Sequence, residues 1–209
     1  MAGPTVLPLG LRRLARLPRL PLAASLLGAL VGCTPPAPPV VASIQREAAG
    51  NRPVVVLVDF VDFECPYCRA SHLALAPVLR ENEGHVVVVR KHVPLGFHPH
   101  ALPAARASIC AEAQGKEAEM ADLLVATLPA SLDEEGCAEL ANKLALDLPR
   151  YLACVAAPST EARIRKDMTD FSQAKLEAVP TVFVGDIKLE GEQSGSALRA
   201  AVKRARAGR

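Results

Sequence analysis

Two cysteines separated by Pro66 and Tyr67, Cys65 and Cys68, stand where a run of β-branched residues gives way to a helical stretch. No other feature narrows the possible folds as much. Pro53 to Val61 reads as a buried strand behind a turn signal, and the residues after Cys65 read as a helix through about Glu81, kinked at Pro77. A cysteine at the first turn of a helix meets unpaired N–H groups and the positive end of the macrodipole, which favour its thiolate. One helical turn brings Cys68 close enough to close a small disulfide ring, and such a ring opens by thiolate attack through a mixed disulfide. Cys65, as the more exposed N-terminal residue, is the expected nucleophile and Cys68 the resolving thiol. Pro66 suits the first helical position.

Half a zinc site is the competing reading. Zinc needs about four ligands, and a structural site built on such a pair normally has a second close pair. Cys110, Cys137 and Cys154 are scattered, and His98-Pro99-His100 reads as a surface loop. No metal is therefore expected. A purely structural role is also disfavoured, because a bridge over three residues closes almost no loop.

The N-terminus carries Arg12, Arg13, Arg16 and Arg19 with no acid, then an apolar stretch from Leu20 to Val31. A basic segment, a short apolar segment and small residues before a cut describe a secretory signal over residues 1–32. Leu30-Val31-Gly32-Cys33 resembles the lipobox of bacterial lipoproteins, so Cys33 is the expected acylated residue and the chain is expected on the lipid bilayer. Thr34 to Pro39 is proline-rich, and residues 33–40 are expected as an extended linker ahead of a folded domain over 41–209. The expected compartment is extracytoplasmic, in the bacterial cell envelope and on its periplasmic side if the source is Gram-negative, where disulfides persist. The 24 basic residues, less the four in the leader, leave 20 against 22 acidic ones. That balance and the lack of a basic, aromatic-supported face exclude nucleic-acid binding.

Val86 to His92 reads as a second buried strand. Helices are expected over Leu102 to Leu128, broken at Gly115, over Asp133 to Leu144, Pro149 to Ala156 and Thr160 to about Lys175. Thr181 to Val184, a Gly185-Asp186 turn and Ile187 to Glu190 make a hairpin, and Ser196 to Ala205 a closing helix. The order predicts an α/β core with a helical insertion at about 100–175. Cys137 and Cys154 lie on consecutive short helices and come within about one turn of level, so they can pair; Cys110 with Cys154 is the rival.

Val56-Leu57-Val58-Asp59-Phe60 followed by Cys65-Pro66-Tyr67-Cys68 resembles thioredoxin-fold proteins, and Val179-Pro180-Thr181 before the hairpin looks like their cis-proline loop. The 111 residues between Cys68 and Pro180 exceed what a plain thioredoxin or a glutaredoxin holds. A helical block there, with Ala104-Ala105 through Cys110 to Gln114-Gly115-Lys116, resembles the DsbA-like thiol–disulfide oxidoreductases. The resemblance implies a thioredoxin fold with an inserted helical domain. It implies that Val179 and Pro180 pair with an extended substrate, that buried Asp59 exchanges protons with Cys68, and that Arg90 or Lys91 is the charge partner of Asp59. It also implies a Cys110–Cys154 disulfide. Glu117-Ala118 depart from the aromatics such proteins carry at that point, which argues against a large hydrophobic groove.

The expected function is thiol–disulfide exchange on exported proteins, with the dithiol as the redox group, no cofactor, a membrane redox partner and a monomeric state. The alternatives are a thioredoxin-fold metal-binding lipoprotein or metallochaperone, and a non-catalytic binding lipoprotein.

Overall fold

The computed structural model describes residues 1–3, 5 and 35–208. The lipidation expected at Cys33 lies outside the described residues. The chain divides into residues 1–33 and a folded unit over 34–209, and only the folded unit is considered below.

Three stretches of β-branched and apolar residues supply a four-stranded sheet: β1 (Val55–Val61), β2 (Val86–His92), and the hairpin β3 (Thr181–Val184) and β4 (Ile187–Glu190). The order is β2-β1-β3-β4. β1 pairs parallel with β2 and antiparallel with β3, and β3 pairs antiparallel with β4. A parallel pair needs a crossover, which α2 (Pro66–Glu81) provides. Every residue of β1 is buried, as a central strand covered on both faces requires. Gly185, at φ +58°, makes the tight turn of the hairpin.

On one face of the sheet α2 and α8 (Gly195–Ala207) pack Leu75, Val78, Leu198 and Val202 against Val55, Leu57, Val182 and Val184. The other face receives α1 (Pro39–Ala49) and α7 (Pro158–Gln173), with Val41, Ile44 and Phe171 against Val56, Val58, Phe60 and Phe183. Between β2 and β3 the chain builds α3 (Ala101–Glu112), α4 (Glu117–Ala126), α5 (Glu134–Lys143), α6 (Leu148–Val155) and then α7. Gly115, at φ +72°, reverses the chain between α3 and α4. Asp133, Asp147 and Ser194 cap α5, α6 and α8 by accepting the N–H of Gly136, Arg150 and Ala197.

The insertion is fastened to the sheet by a buried cluster. Lys91 Nζ reaches Asp167 Oδ1 at 2.9 Å and Asp170 Oδ2 at 2.7 Å, and the His92 N–H donates to Asp167 Oδ2 at 3.1 Å.

The folded part begins earlier than residue 41. Pro39 is the first residue of α1, where its fixed φ suits a helix start, and buried Ala37 donates its N–H to Asp186 Oδ1 at 3.0 Å. The C-terminal half of the expected 33–40 linker therefore belongs to the fold, and α1 is an element that the proline-rich approach concealed.

Candidate active site

β1 ends at Val61, and Asp62-Phe63-Glu64 turns the chain so that Cys65 becomes the N-cap of α2, with Pro66 at its first position. Asp62 shapes that turn: its Oδ1 accepts the Glu64 N–H at 2.8 Å, and its carbonyl accepts the Cys65 N–H at 3.2 Å. The two thiols are unbridged and both are buried, Cys65 at 5 % exposure and Cys68 at 2 %, so the expected contrast in exposure is small. Tyr67 between them is exposed.

Chemistry separates the two sulfurs where exposure does not. The neighbouring Cys68 thiol pulls the Cys65 pKa from the usual 9.0 down to about 6; burial opposes this, and the Cys68 and Tyr67 backbone N–H groups add to it. The same contact pushes Cys68 upward, and burial adds to that rise. Cys68 Sγ also accepts the Asp62 N–H at 3.5 Å. The arrangement holds one thiolate and one thiol at neutral pH, which suits attack followed by resolution.

Asp59 points to the α2 face of the sheet, in register with Arg90 on β2. Burial raises its carboxyl pKa from 3.8 to about 6, against the pull of Arg90 and with a push from Glu117. Its charge is among those acting on Cys68. Of the two candidate partners, Arg90 is the one that faces Asp59, with Nε 3.8 Å from Oδ2. Lys91 is committed to Asp167 and Asp170 on the opposite face.

Several neighbours escaped the sequence reading. Asp62 Oδ2 accepts from His98 Nδ1 at 2.8 Å and from the Leu95 N–H at 2.9 Å, while Glu64 Oε2 accepts the His100 N–H at 2.6 Å. The loop after β2 is thereby stapled to the Cys65 turn. Arg69, next to Cys68, donates to the Leu124, Val125 and Thr127 carbonyls at 2.9, 2.5 and 2.6 Å, and so fixes the C-terminal end of α4 to the start of α2. An aspartate two residues before a free N–H is a local signal for the Asp62 turn. The other contacts join residues 33 to 58 positions apart and leave no local trace.

The Val179–Pro180 peptide is cis. Thr181 lies opposite Phe60, so Pro180 sits at the end of β1 from which the Cys65 turn departs. The Pro180 carbonyl accepts the Gly191 N–H at 2.9 Å, and that of Ala178 accepts the Thr181 hydroxyl at 2.7 Å. Val179 lies between them, and its N–H and C=O have no partner among the described residues.

Cys110 on α3 and Cys154 on α6 are joined by a disulfide, with Cα atoms 5.8 Å apart. Cys137 is not the partner of Cys154; it is a buried free thiol that donates to the Leu132 carbonyl at 3.3 Å. Among the described residues no group of three or more His, Cys, Asp or Glu side chains is arranged around a metal position.

The Thioredoxin family model matches residues 49–204. Among solved structures, a thioredoxin-like oxidoreductase from Silicibacter pomeroyi DSS-3 is 29 % identical with a TM-score of 0.65, over 76 % of this chain and 90 % of that one. The thiol-disulfide exchange protein alpha-DsbA2 from Wolbachia pipientis is 15 % identical with a TM-score of 0.67, over 79 % and 93 % of the two chains, and shares the fold. The Na(+)/H(+) antiporter NhaA 1 of Salinispora arenicola is 33 % identical over 198 residues, which take in 94 % of this chain and 30 % of the antiporter. NhaA 3 of Salinispora tropica is 34 % identical over 195 residues, 91 % and 29 % of the two chains. The chain thus spans about a third of the length of these curated relatives. The match over residues 49–204 decides the affiliation: this chain belongs to the thioredoxin family, and its helical insertion gives it the DsbA-like form of that fold.

Proposed function

We propose that the protein is a thiol–disulfide oxidoreductase acting on exported proteins through the Cys65–Cys68 dithiol. The observation that carries this reading is the placement of two unbridged thiols at the start of α2: Cys65 caps the helix beside Cys68, and that contact draws Cys65 down to about 6 and drives Cys68 up. Cys65 attacks a substrate disulfide, forming the mixed disulfide and releasing a substrate thiolate. Cys68 then loses its proton and attacks Cys65 Sγ, closing the Cys65–Cys68 bridge and releasing the second substrate thiol. The reverse sequence oxidises a substrate dithiol.

Asp59 is the base that accepts the Cys68 proton, since its raised pKa lets it change protonation state near neutrality. The unpartnered Val179 backbone, at the same end of the sheet, suits pairing with an extended substrate segment as an added strand. A low attacking pKa stabilises the reduced form and makes the oxidised form the stronger oxidant. The proposed pair therefore lies between the reductant and strong-oxidant extremes of the fold.

The domain works at a membrane surface in this reading. The lipobox at Cys33 supplies an anchor, and a membrane redox partner recycles the dithiol. The antiporter relatives fit the same setting, because in them a segment similar to this chain is part of a much longer protein named as a Na(+)/H(+) antiporter.

Trapping tests the proposal. Cys68→Ala leaves Cys65 able to attack but unable to be released, so incubation with disulfide-bonded insulin is expected to accumulate a covalent complex that dithiothreitol dissolves. Equal yields from Cys68→Ala and the Cys65→Ala/Cys68→Ala double variant would remove the proposal's basis.

A further inference from the structure

Arg90 is shared unequally between two acids. Its guanidinium is buried, with 4 % of the side chain exposed, and its Nη1 binds Glu117 Oε1 directly. Toward Asp59 it presents only Nε, at 3.8 Å, too far for a hydrogen bond, and that buried N–H has no hydrogen-bond partner. A buried donor left unmade is costly, so something must hold the guanidinium off Asp59. Glu117 is the group in position to do so. It is the first residue of α4, and Arg69 fixes the other end of that helix to α2, so the carboxylate is anchored from outside the pair.

The other groups around Asp59 offer no replacement. β3 opposes it with apolar Val182, and α8 brings Leu198, Ala201 and Val202 to this face. α2 brings Cys68 and His72; burial, then the Arg90 charge, lowers the His72 pKa, and His72 Nε2 is taken by Asp122 Oδ1 on α4 at 2.7 Å. Among the described residues Arg90 is thus the cation whose pull lowers the Asp59 pKa, and Glu117 the acid that acts against it there.

We propose that Glu117 is a positioning residue for the buried acid: by taking the Arg90 guanidinium it prevents a closed Arg90–Asp59 ion pair and keeps Asp59 able to hold and pass the Cys68 proton. This rests on the reading of Asp59 as the proton acceptor. With Glu117 neutral, Arg90 would satisfy its orphaned Nε on Asp59, fix that carboxylate in its charged form and weaken it as a base.

The test is a carbon-13 titration of the aspartate side-chain carboxyls in the full chain. Cys65→Ala serves as the common background, so that the Cys65 thiol does not titrate over the same pH range as Asp59. Asp59→Asn identifies the resonance by its loss. The expected midpoint is about 6 in the background protein. In Glu117→Gln it is expected to fall to about 5 or below, the size of change that a carboxylate shows on gaining a close cation. Glu117→Asp, which keeps the charge, is expected to stay near the background value. Arg90→Gln is expected to move the midpoint the other way, upward, and guards against a Glu117 variant that folds poorly. An Asp59 midpoint unmoved by Glu117→Gln and Arg90→Gln overturns the inference while leaving the relay reading in place. An Asp59 that titrates at the ordinary carboxyl value in the background protein overturns both.

Discussion

Cys65→Ala is expected to lower insulin reduction and peptide oxidation to the rate of the small-thiol buffer alone, a loss of about a thousandfold or more, as removal of a nucleophile produces elsewhere. The expectation comes from how the fold prepares one sulfur. Cys65 caps α2, its neighbour Cys68 stabilises its thiolate, and the first backbone N–H groups of the helix add to that. Cys68 cannot substitute: the contact with Cys65 is gone in this variant, but burial still favours the protonated thiol and encloses it at 2 % exposure. The parent protein should show the counterpart in its pH profile. The rate of attack should climb as pH rises through about 6, where Cys65 loses its proton, and level off above pH 7. Stability follows with the sign of a depressed pKa. The reduced protein has this contribution in full above the ordinary thiol value near 9.0 and loses it as pH falls through about 6. Exchange activity that survives Cys65→Ala, or that rises only above pH 8, would contradict the assignment of the nucleophile.

Removing the second cysteine bridge is expected to act on stability rather than on exchange. Cys110 and Cys154 are 44 residues apart and join α3 to α6, at a distance in sequence from the Cys65 turn. Closing a loop of that length restricts the unfolded chain by about 4 kcal/mol on the chain-entropy account. In a folded unit of this size each kcal/mol moves the melting temperature by about 2–4 °C, so Cys110→Ala/Cys154→Ala should melt about 8–16 °C lower. Both sites tolerate alanine sterically, and Cys110 is wholly buried. At 25 °C the double variant should exchange disulfides at the parent rate, because neither residue contacts Cys65 or Asp59. Calorimetry of the two proteins checks the first expectation. An unchanged melting temperature would mean that the bridge adds nothing to the folded state.

How far the sequence could be read depends on how local each signal was. β2 and the hairpin strands coincide with the β-branched runs that announced them, and the hairpin turn with its Gly-Asp pair. α2 follows from Pro66 and the apolar spacing behind Cys65. α1 was missed because Pro35 to Pro39 looks like a spacer. Its helical character lies in Val41, Ile44 and the proline at its first position, which only packing against β1 makes decisive. At the site, the cysteine pair stood out from its spacing at a strand-to-helix turn, whereas Asp59 came in only through the family resemblance. The Asp62–His98 staple, the Arg69 clamp and the sharing of Arg90 with Glu117 were not legible. Each depends on where the inserted helices dock, and a charged side chain in a strand or helix reads as solvated until its partner across the fold is known.

In the proposed function Cys65 and Cys68 form a reversible redox couple. Its most direct test is equilibration of the protein in glutathione buffers of stepped ratio, with thiol trapping of the Cys65–Cys68 pair. Full cycling is predicted, with a midpoint between the thioredoxin value of about −270 mV and the strong-oxidant value of about −120 mV, near the −200 to −230 mV of glutaredoxins. A pair that stays reduced, or stays oxidised, across the whole range would contradict the account.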